Sequence, residues 1–148
     1  MLNLLKDVFS SLQHHRVRYI VIGGIASVLY GVPRATFDLD ILIDANPDNA
    51  QKLLDALLDA KLGTAAMTTP EELLSQEITI FKDRVRIDVQ TSTPGLKFEE
   101  AWNRRETMEY QNQKFYVASR DDLIASKRAS GRPVDLEDVR LLELEKKE

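Results

Sequence analysis

The sequence predicts a protein of the α/β (α+β) class, in which helices pack on a mixed β-sheet. Strand-like and helix-like runs are interspersed along the chain, and some neighbouring strand-like runs are separated only by tight turns. The chain has 148 residues, of which 43% are hydrophobic, and this is enough to form one core. We therefore expect a single domain over residues 1–148.

Composition and charge narrow the classes of function. The net charge is −4 with both signs mixed along the chain, which argues against nucleic-acid binding through bulk charge. The chain has no cysteine, so disulfides and cysteine-based zinc sites are excluded, and a reducing cytoplasm is the expected compartment. No apolar run approaches the ~20 residues that span a bilayer, so we expect no membrane partner.

In the first third of the chain the pattern predicts two helices and two strands. Apolar residues recur at helical spacing over residues 2–15, which predicts an amphipathic helix. Residues 18–22 are rich in β-formers and predict a buried strand, and a short glycine-bounded helix follows over residues 24–30. In the strand predicted over residues 38–43, alternate side chains face opposite sides of the sheet.

The middle of the chain begins with a long helix. Asn46 is placed to cap it, Pro47 fits its first position, and Gly63 is expected to end it. A short helix and two strands joined by a tight turn are predicted next, at residues 70–76, 77–81 and 85–91.

The last third predicts three helices and a hairpin. A short helix over residues 97–105 precedes a hairpin that turns at Gln111 and Asn112. Ser119 is placed to cap the next helix, which Gly131 ends. The final helix is predicted over residues 133–146.

Acidic residues occur inside two of the predicted strands. Asp38 and Asp40 share one strand face, and Asp88 lies on the face of its own strand opposite the apolar residues. Two carboxylates this close repel one another unless a cation neutralises them. If the two strands are neighbours, the three carboxylates converge. Such an oxygen-rich site suits Mg²⁺, with Mn²⁺ as the second choice, and can support phosphoryl displacement.

A pair of glycines lies just before these acids in sequence. Gly23 and Gly24 end a strand and open a helix, so the backbone can approach a bound anion such as a triphosphate closely. Arg34 could offset phosphate charge there. The alternative for Arg34 is an ion pair with Asp38 or Asp44.

Taken together, these motifs resemble the polymerase-β-like nucleotidyltransferase superfamily. Its pattern is a strand, a Gly-Gly or Gly-Ser turn, a short helix, an Asp-x-Asp strand and a third Asp on a later strand. The matching segments here are GGIASVLYGVPRATFDLD at 23–40 and Asp88. The run DLIASKRASGRPVDLED at 122–138 is similar to small bacterial and archaeal members of the antitoxin and abortive-infection types.

The resemblance implies a nucleotidyltransferase fold that moves a nucleoside monophosphate from an NTP to an acceptor hydroxyl, releasing pyrophosphate. Asp38 and Asp40 would hold two metal ions, and Asp88 would help hold the catalytic one and favour deprotonation of the acceptor. The nucleotide-binding residues implied are Gly23, Gly24, Ser27, Arg34, Thr36, Lys127 and Arg132. One departure is Gly24, because many members have a serine whose hydroxyl can contact phosphate.

The C-terminal helices, over residues 119–146, are expected to complete the cleft. Lys127 and Arg132 have an alternative role as a solvated helix end, together with Arg128, because cations stabilise a helix C-terminus. Asp135 and Asp138 would either charge the start of the final helix or bind a ligand.

Two classes of function stay open at this point. One is a Mg²⁺-dependent enzyme, whose acceptor is a protein, an RNA end or a small molecule. The other is a non-catalytic antitoxin of the same fold that neutralises a partner toxin by binding it. A chain this short favours a protein acceptor or a homodimer that completes the cleft. A metal-dependent phosphoesterase ranks below both, because the chain lacks histidine-rich metal ligands.

Overall fold

The structure is a computed structural model that describes residues 2–147, with side chains up to residue 144. The described helices are α1 (Leu2–His14), α2 (Gly23–Leu29), α3 (Pro47–Asp59), α4 (Pro70–Ser75), α5 (Phe98–Asn103), α6 (Arg120–Ser130) and α7 (Pro133–Lys147), with a 3₁₀ helix at Gly63–Met67. The strands are β1 (Tyr19–Ile22), β2 (Asp38–Ile43), β3 (Ile78–Lys82), β4 (Arg86–Gln90), β5 (Glu106–Tyr110) and β6 (Gln113–Val117).

All of these strands join one sheet in the order β3-β4-β2-β1-β6-β5. The hairpins β3/β4 and β5/β6 are antiparallel, as is the central pair β1/β2. The pairs β2/β4 and β1/β6 are parallel. The sheet is therefore mixed and carries helices, which confirms the fold class predicted from the sequence.

The two faces of the sheet differ in how much of them is covered. On one face, Leu39, Ile41 and Ile43 of β2 are buried in the main core, to which α1 and α3 contribute. On the other face, Ile20 and Leu42 belong to a smaller cluster that packs against α5. Because α5 covers only part of this second face, the rest of it can carry polar side chains.

Most helix ends follow the local signals in the sequence. The side chain of Asn46 accepts a hydrogen bond from the Asn49 N–H, and Ser119 accepts one from the Asp122 N–H. Gly131 ends α6 in the left-handed conformation, at φ 69°. The predicted hairpin turn is also confirmed, since Gln111 and Asn112 both have positive φ.

The predicted end of the third helix is wrong. Helix α3 ends at Asp59 rather than continuing to Gly63, and Lys61 turns the chain with φ 65°. Leu62 is fully buried, and its N–H donates to the Leu57 carbonyl at 2.9 Å. Burial of Leu62 in the core therefore decides where the helix stops, and Gly63 instead opens the 3₁₀ helix.

None of the helices in residues 2–147 is both long enough and apolar enough to cross a bilayer.

Candidate active site

The three acidic residues of interest lie on one face of two neighbouring parallel strands. Asp40 on β2 is in register with Asp88 on β4, and Asp38 is in register with Arg86. Side chains in register on parallel strands share a face, so the three carboxylates line the uncovered part of the sheet. The structure thus brings Asp88 together with Asp38 and Asp40, from which it is distant in sequence.

The Asp40 carboxyl is the most strongly perturbed member of this group. Burial raises its pKa to about 7, and the charge of Asp88, a hydrogen bond with Asp88 and the charge of Asp38 add to the effect. Lys127 acts in the opposite sense. A site that makes its own carboxylate costly to ionise has the electrostatic character of a cation site.

Arg86 supplies a positive charge within this acidic face. Its Nε and Nη2 donate to the two carboxylate oxygens of Asp88 at 3.0 and 3.2 Å, and its Nε lies 3.6 Å from Asp38. No three Asp, Glu, His or Cys side chains in the described residues are arranged to hold a metal ion. The carboxylate oxygens have the right chemistry for Mg²⁺, but Arg86 donates to both oxygens of one of the three carboxylates, Asp88.

Gly23 sits where the first strand turns directly into α2. It has φ +73°, and a Cβ there would lie 2.2 Å from Asp40 Oδ2. No side chain caps the start of α2. Only glycine is compatible with both the backbone conformation and the nearby carboxylate. The glycine is thus required by Asp40 itself.

Gly24 faces a second set of polar groups. A Cβ on Gly24 would lie 2.9 Å from Thr36 Oγ1 and 3.5 Å from the Arg34 guanidinium. Thr36 and Arg34 therefore lie against the glycine turn.

Behind the cationic residues lies a network of buried carboxylates. A single oxygen of Asp138 accepts from Arg34 Nη1 at 2.6 Å and from Lys127 Nζ at 2.9 Å. Asp135 accepts from Arg132 Nε at 2.8 Å. Asp138 is 2% exposed and Lys127 is 5% exposed. The two acids hold three cations in place, one each from the loop after α2, from α6 and from the loop between α6 and α7.

This network shows which ion-pair partners these side chains have. Arg34 pairs with Asp138 and not with Asp38 or Asp44; Asp44 pairs instead with Arg18. Lys127 is buried rather than solvated, whereas Arg128 is largely exposed and pairs with Glu143.

Ser27 occupies a different position from the other predicted nucleotide-binding residues. It is fully buried, and its hydroxyl donates to the Gly23 carbonyl at 3.3 Å and to Asp138 at 3.4 Å. It therefore supports the glycine turn from below and does not line the cleft.

The remaining predicted residues meet in one open cleft of about 460 Å³. Its lining includes Gly23, Gly24, Arg34, Thr36, Asp38, Asp40, Asp88, Lys127 and Arg132. Helices α6 and α7 line one side. We call Asp38, Asp40 and Asp88 the acidic floor of this cleft, and Arg34, Lys127 and Arg132 its cationic wall.

Sequence reasoning missed Arg86 as a residue of this cleft, and it did not predict the partner of Asp138. Arg86 shares a strand face with Asp88 because the two are separated by one residue, and this spacing was the available signal. The pairing of Arg132 with Asp135 also had a local signal, because the two are three positions apart. The pairing of Arg34 with Asp138 had none, because these residues are 104 positions apart.

Stability of the metal-free protein should fall as pH rises from about 4 to 7. In this range the folded protein keeps a proton on Asp40, whose pKa is raised, while the unfolded chain has already lost it. Asp40→Asn should remove this dependence and stabilise the protein at pH 8 by roughly 2–4 kcal/mol. Urea unfolding in EDTA at several pH values measures this free energy of unfolding. The exposed Asp55→Asn is the control, and an equal effect of both substitutions would contradict the assignment.

Asp138→Asn should lower the free energy of unfolding by about 3–5 kcal/mol, because it removes the nearer counter-charge of buried Lys127 and leaves only Asp135, 3.8 Å away. Asp122→Asn is the matched control, since Asp122 is also buried but holds the half-exposed Arg104. Adding Lys127→Met to Asp138→Asn should recover part of the loss. Urea denaturation of the four proteins, wild type included, checks this. If the double variant is no more stable than Asp138→Asn, then Asp138 does not stabilise the protein as the counter-charge of Lys127.

Comparison with known proteins identifies a family and a fold for the chain. The family model for nucleotidyltransferases of unknown function (DUF6036) matches residues 2–147. The structure of a Thermotoga maritima protein described as a nucleotidyltransferase superposes with a TM-score of 0.60 at 17% identity, covering 97% of this chain and 92% of that one. An antigenic nucleotidyltransferase-like protein from Paracoccidioides brasiliensis gives 0.57 at 17% identity, covering 95% and 73%.

No curated protein sequence matches the chain. At 17% identity the two structures show a shared fold. The resemblance to nucleotidyltransferases drawn from the sequence is confirmed by the family match and by this fold. The chain belongs to the DUF6036 family of nucleotidyltransferases of unknown function.

Proposed function

We propose that the protein transfers a nucleoside monophosphate from an NTP to an acceptor hydroxyl in a Mg²⁺-dependent reaction. The observation that carries this proposal is the pairing of an acidic floor with a cationic wall in one cleft. A metal–triphosphate complex needs both, because carboxylates bind the cation and cations bind the phosphates. Either surface alone would be an ordinary ion-pair cluster.

The acidic floor is the proposed metal site. Asp38, Asp40 and Asp88 would hold Mg²⁺, or Mn²⁺ in its place. The bound ion would supply charge neutralisation at the reacting phosphate. For Asp88 to take part, the Arg86 guanidinium must release its two carboxylate oxygens.

The cationic wall and the glycine turn form the proposed phosphate site. The Gly23 and Gly24 backbone leaves room for the triphosphate, and Lys127 and Arg132 would bind its oxygens. Arg34 and Thr36 lie against Gly24 and would contact the same phosphates. Asp138 would act as a positioning residue, because it fixes Arg34 and Lys127 relative to each other.

The chemistry is a single displacement at the α-phosphorus. The acceptor oxygen forms a bond to this phosphorus, the bond to the bridging oxygen of the β-phosphate breaks, and pyrophosphate leaves. The hydroxyl proton passes to Asp88 or to water. The cationic wall would stabilise the charge that develops on the departing pyrophosphate.

A second function is favoured by one specific contact. The Arg86–Asp88 ion pair offsets the charge of one of the three carboxylates from within the chain, which suits a non-catalytic antitoxin of the same fold that acts by binding a partner toxin. In that case Asp38→Ala would leave neutralisation of the partner intact.

The test is transfer of label from α-³²P NTPs, with Mg²⁺, to co-expressed proteins, cellular RNA and small-molecule acceptors. Asp40→Ala should lower transfer at least 10³-fold, since it removes a carboxylate that would hold the metal ion at the reacting phosphate. Lys127→Met should raise KM for the NTP about tenfold. The matched control for charge loss is the exposed Asp48→Ala, which should transfer as the wild type does.

Two results would decide between the functions. Mass spectrometry that finds an added nucleotide on an acceptor, lost in Asp40→Ala, supports the transferase. Failure to label any acceptor, together with an Asp38→Ala variant that still neutralises its partner, supports the binding protein.

A further inference from the structure

Strand β3 is a free edge of the sheet, and it lies beside the acidic floor. Among the described strands it pairs only with β4, where Ile80 is in register with Asp88 and Ile78 with Gln90. Ile78 is 50% exposed and Ile80 is 46% exposed. Two large apolar side chains therefore stand on the same face as Asp88, at the side of the cleft away from the glycine turn.

The outward edge of β3 also offers unpaired backbone groups. The Thr91 N–H donates to the Glu77 carbonyl at 3.0 Å, and the Asp83 N–H donates to the Val85 carbonyl at 3.1 Å. Hydrogen-bonded pairs alternate along an antiparallel ladder, so residues 79 and 81 also bond to β4. The backbone N–H and C=O groups of Ile78, Ile80 and Lys82 consequently point away from the sheet.

A groove of about 820 Å³ runs along this edge, between β3 and the segment formed by the 3₁₀ helix and α4. Met67, 82% exposed, lies on its far wall. Among the described lining residues only Glu72 and Lys82 are charged, and their charges cancel. A nucleic-acid groove needs an excess of cations, so this lining fits an uncharged extended peptide.

We propose that the β3 edge is the docking site of a protein acceptor, an extended segment of which adds to the sheet beside β3. This inference rests on the proposed transferase function. Backbone hydrogen bonds to Ile78, Ile80 and Lys82 would hold the segment, and its apolar side chains would cover the two isoleucines. Exposed apolar edge strands tend to pair with other chains, so this edge is suited to the addition of a further strand.

The position of the edge fits the reaction. An added strand would lie ~4.8 Å from β3 and therefore ~9.6 Å from β4, the strand of Asp88. A Ser, Thr or Tyr on or beside the segment would reach the cleft from the side opposite the glycine turn. Its oxygen would bond to the α-phosphorus as pyrophosphate departs toward that turn, and its proton would pass to Asp88 or to water.

Ile80→Pro is the variant that tests this edge. It removes an outward-pointing N–H that takes no part in the β3/β4 ladder, and proline is tolerated at such edge positions. Glu109→Pro is the matched control. Glu109 is on β5, the opposite edge strand, where alternation from the Gln111–Asn112 turn also directs its N–H outward.

The probe is a displayed library of random 12-residue peptides, selected on the wild-type protein and measured individually by fluorescence anisotropy. Selected peptides should bind Ile80→Pro at least tenfold more weakly and Glu109→Pro with unchanged affinity. Peptides that carry a hydroxyl should accept label from α-³²P NTPs with Mg²⁺. Circular dichroism and NTP binding, measured on each variant, identify any that fail to fold.

Other outcomes overturn the proposal. The docking site is refuted if no selected peptide depends on Ile80, or if a 12-nucleotide RNA is labelled equally by wild type and Ile80→Pro. It is also refuted if the wild type is a dimer that Ile80→Pro converts to a monomer, because a second copy then occupies the edge. Peptides that dock at Ile80 but never receive label support the docking site and overturn its role in presenting the acceptor hydroxyl.

Discussion

Parallel pairing of β2 with β4 places two carboxylates of like charge, Asp40 and Asp88, opposite each other on one face of the sheet. The surrounding features accommodate this arrangement. Gly23 leaves space for the Asp40 carboxylate, Arg86 neutralises Asp88, and burial among like charges raises the pKa of Asp40 to about 7. Like charges held this close carry an electrostatic cost, which is typical of sites that bind or transform ligands.

A second group of buried charges gives the cleft its opposite wall. Asp138 joins α2, α6 and α7 by accepting from side chains of distant segments, and Asp135 extends the same network to Arg132. Buried ion pairs contribute little net stability, because desolvation offsets their attraction. Their consequence here is positional, since the Arg34 and Lys127 cations are held at fixed places beside the glycine turn. The fold thereby separates the charges that metal and phosphate would each need.

Much of the fold and part of the site follow from local patterns. Alternation along β2 places Asp38 and Asp40 on one face, and the Asn46 and Ser119 caps are readable from a few neighbouring residues. Features that depend on contacts between residues distant in sequence could not be predicted. The sequence predicted that Gly63 would end α3, but the burial of Leu62 ends it earlier. Likewise, the partner of Arg34 is Asp138, which becomes a neighbour only after α7 packs.

The account depends on the acidic floor being a divalent-cation site. Titration of Mn²⁺ followed by electron paramagnetic resonance tests this directly, because free and bound Mn²⁺ give different signals and no catalysis is needed. Wild-type protein with a non-hydrolysable NTP analogue should bind Mn²⁺, and Asp40→Asn and Asp88→Asn should each weaken binding at least tenfold. Absence of binding to the wild type, or equal binding by the wild type and both variants, would contradict the account.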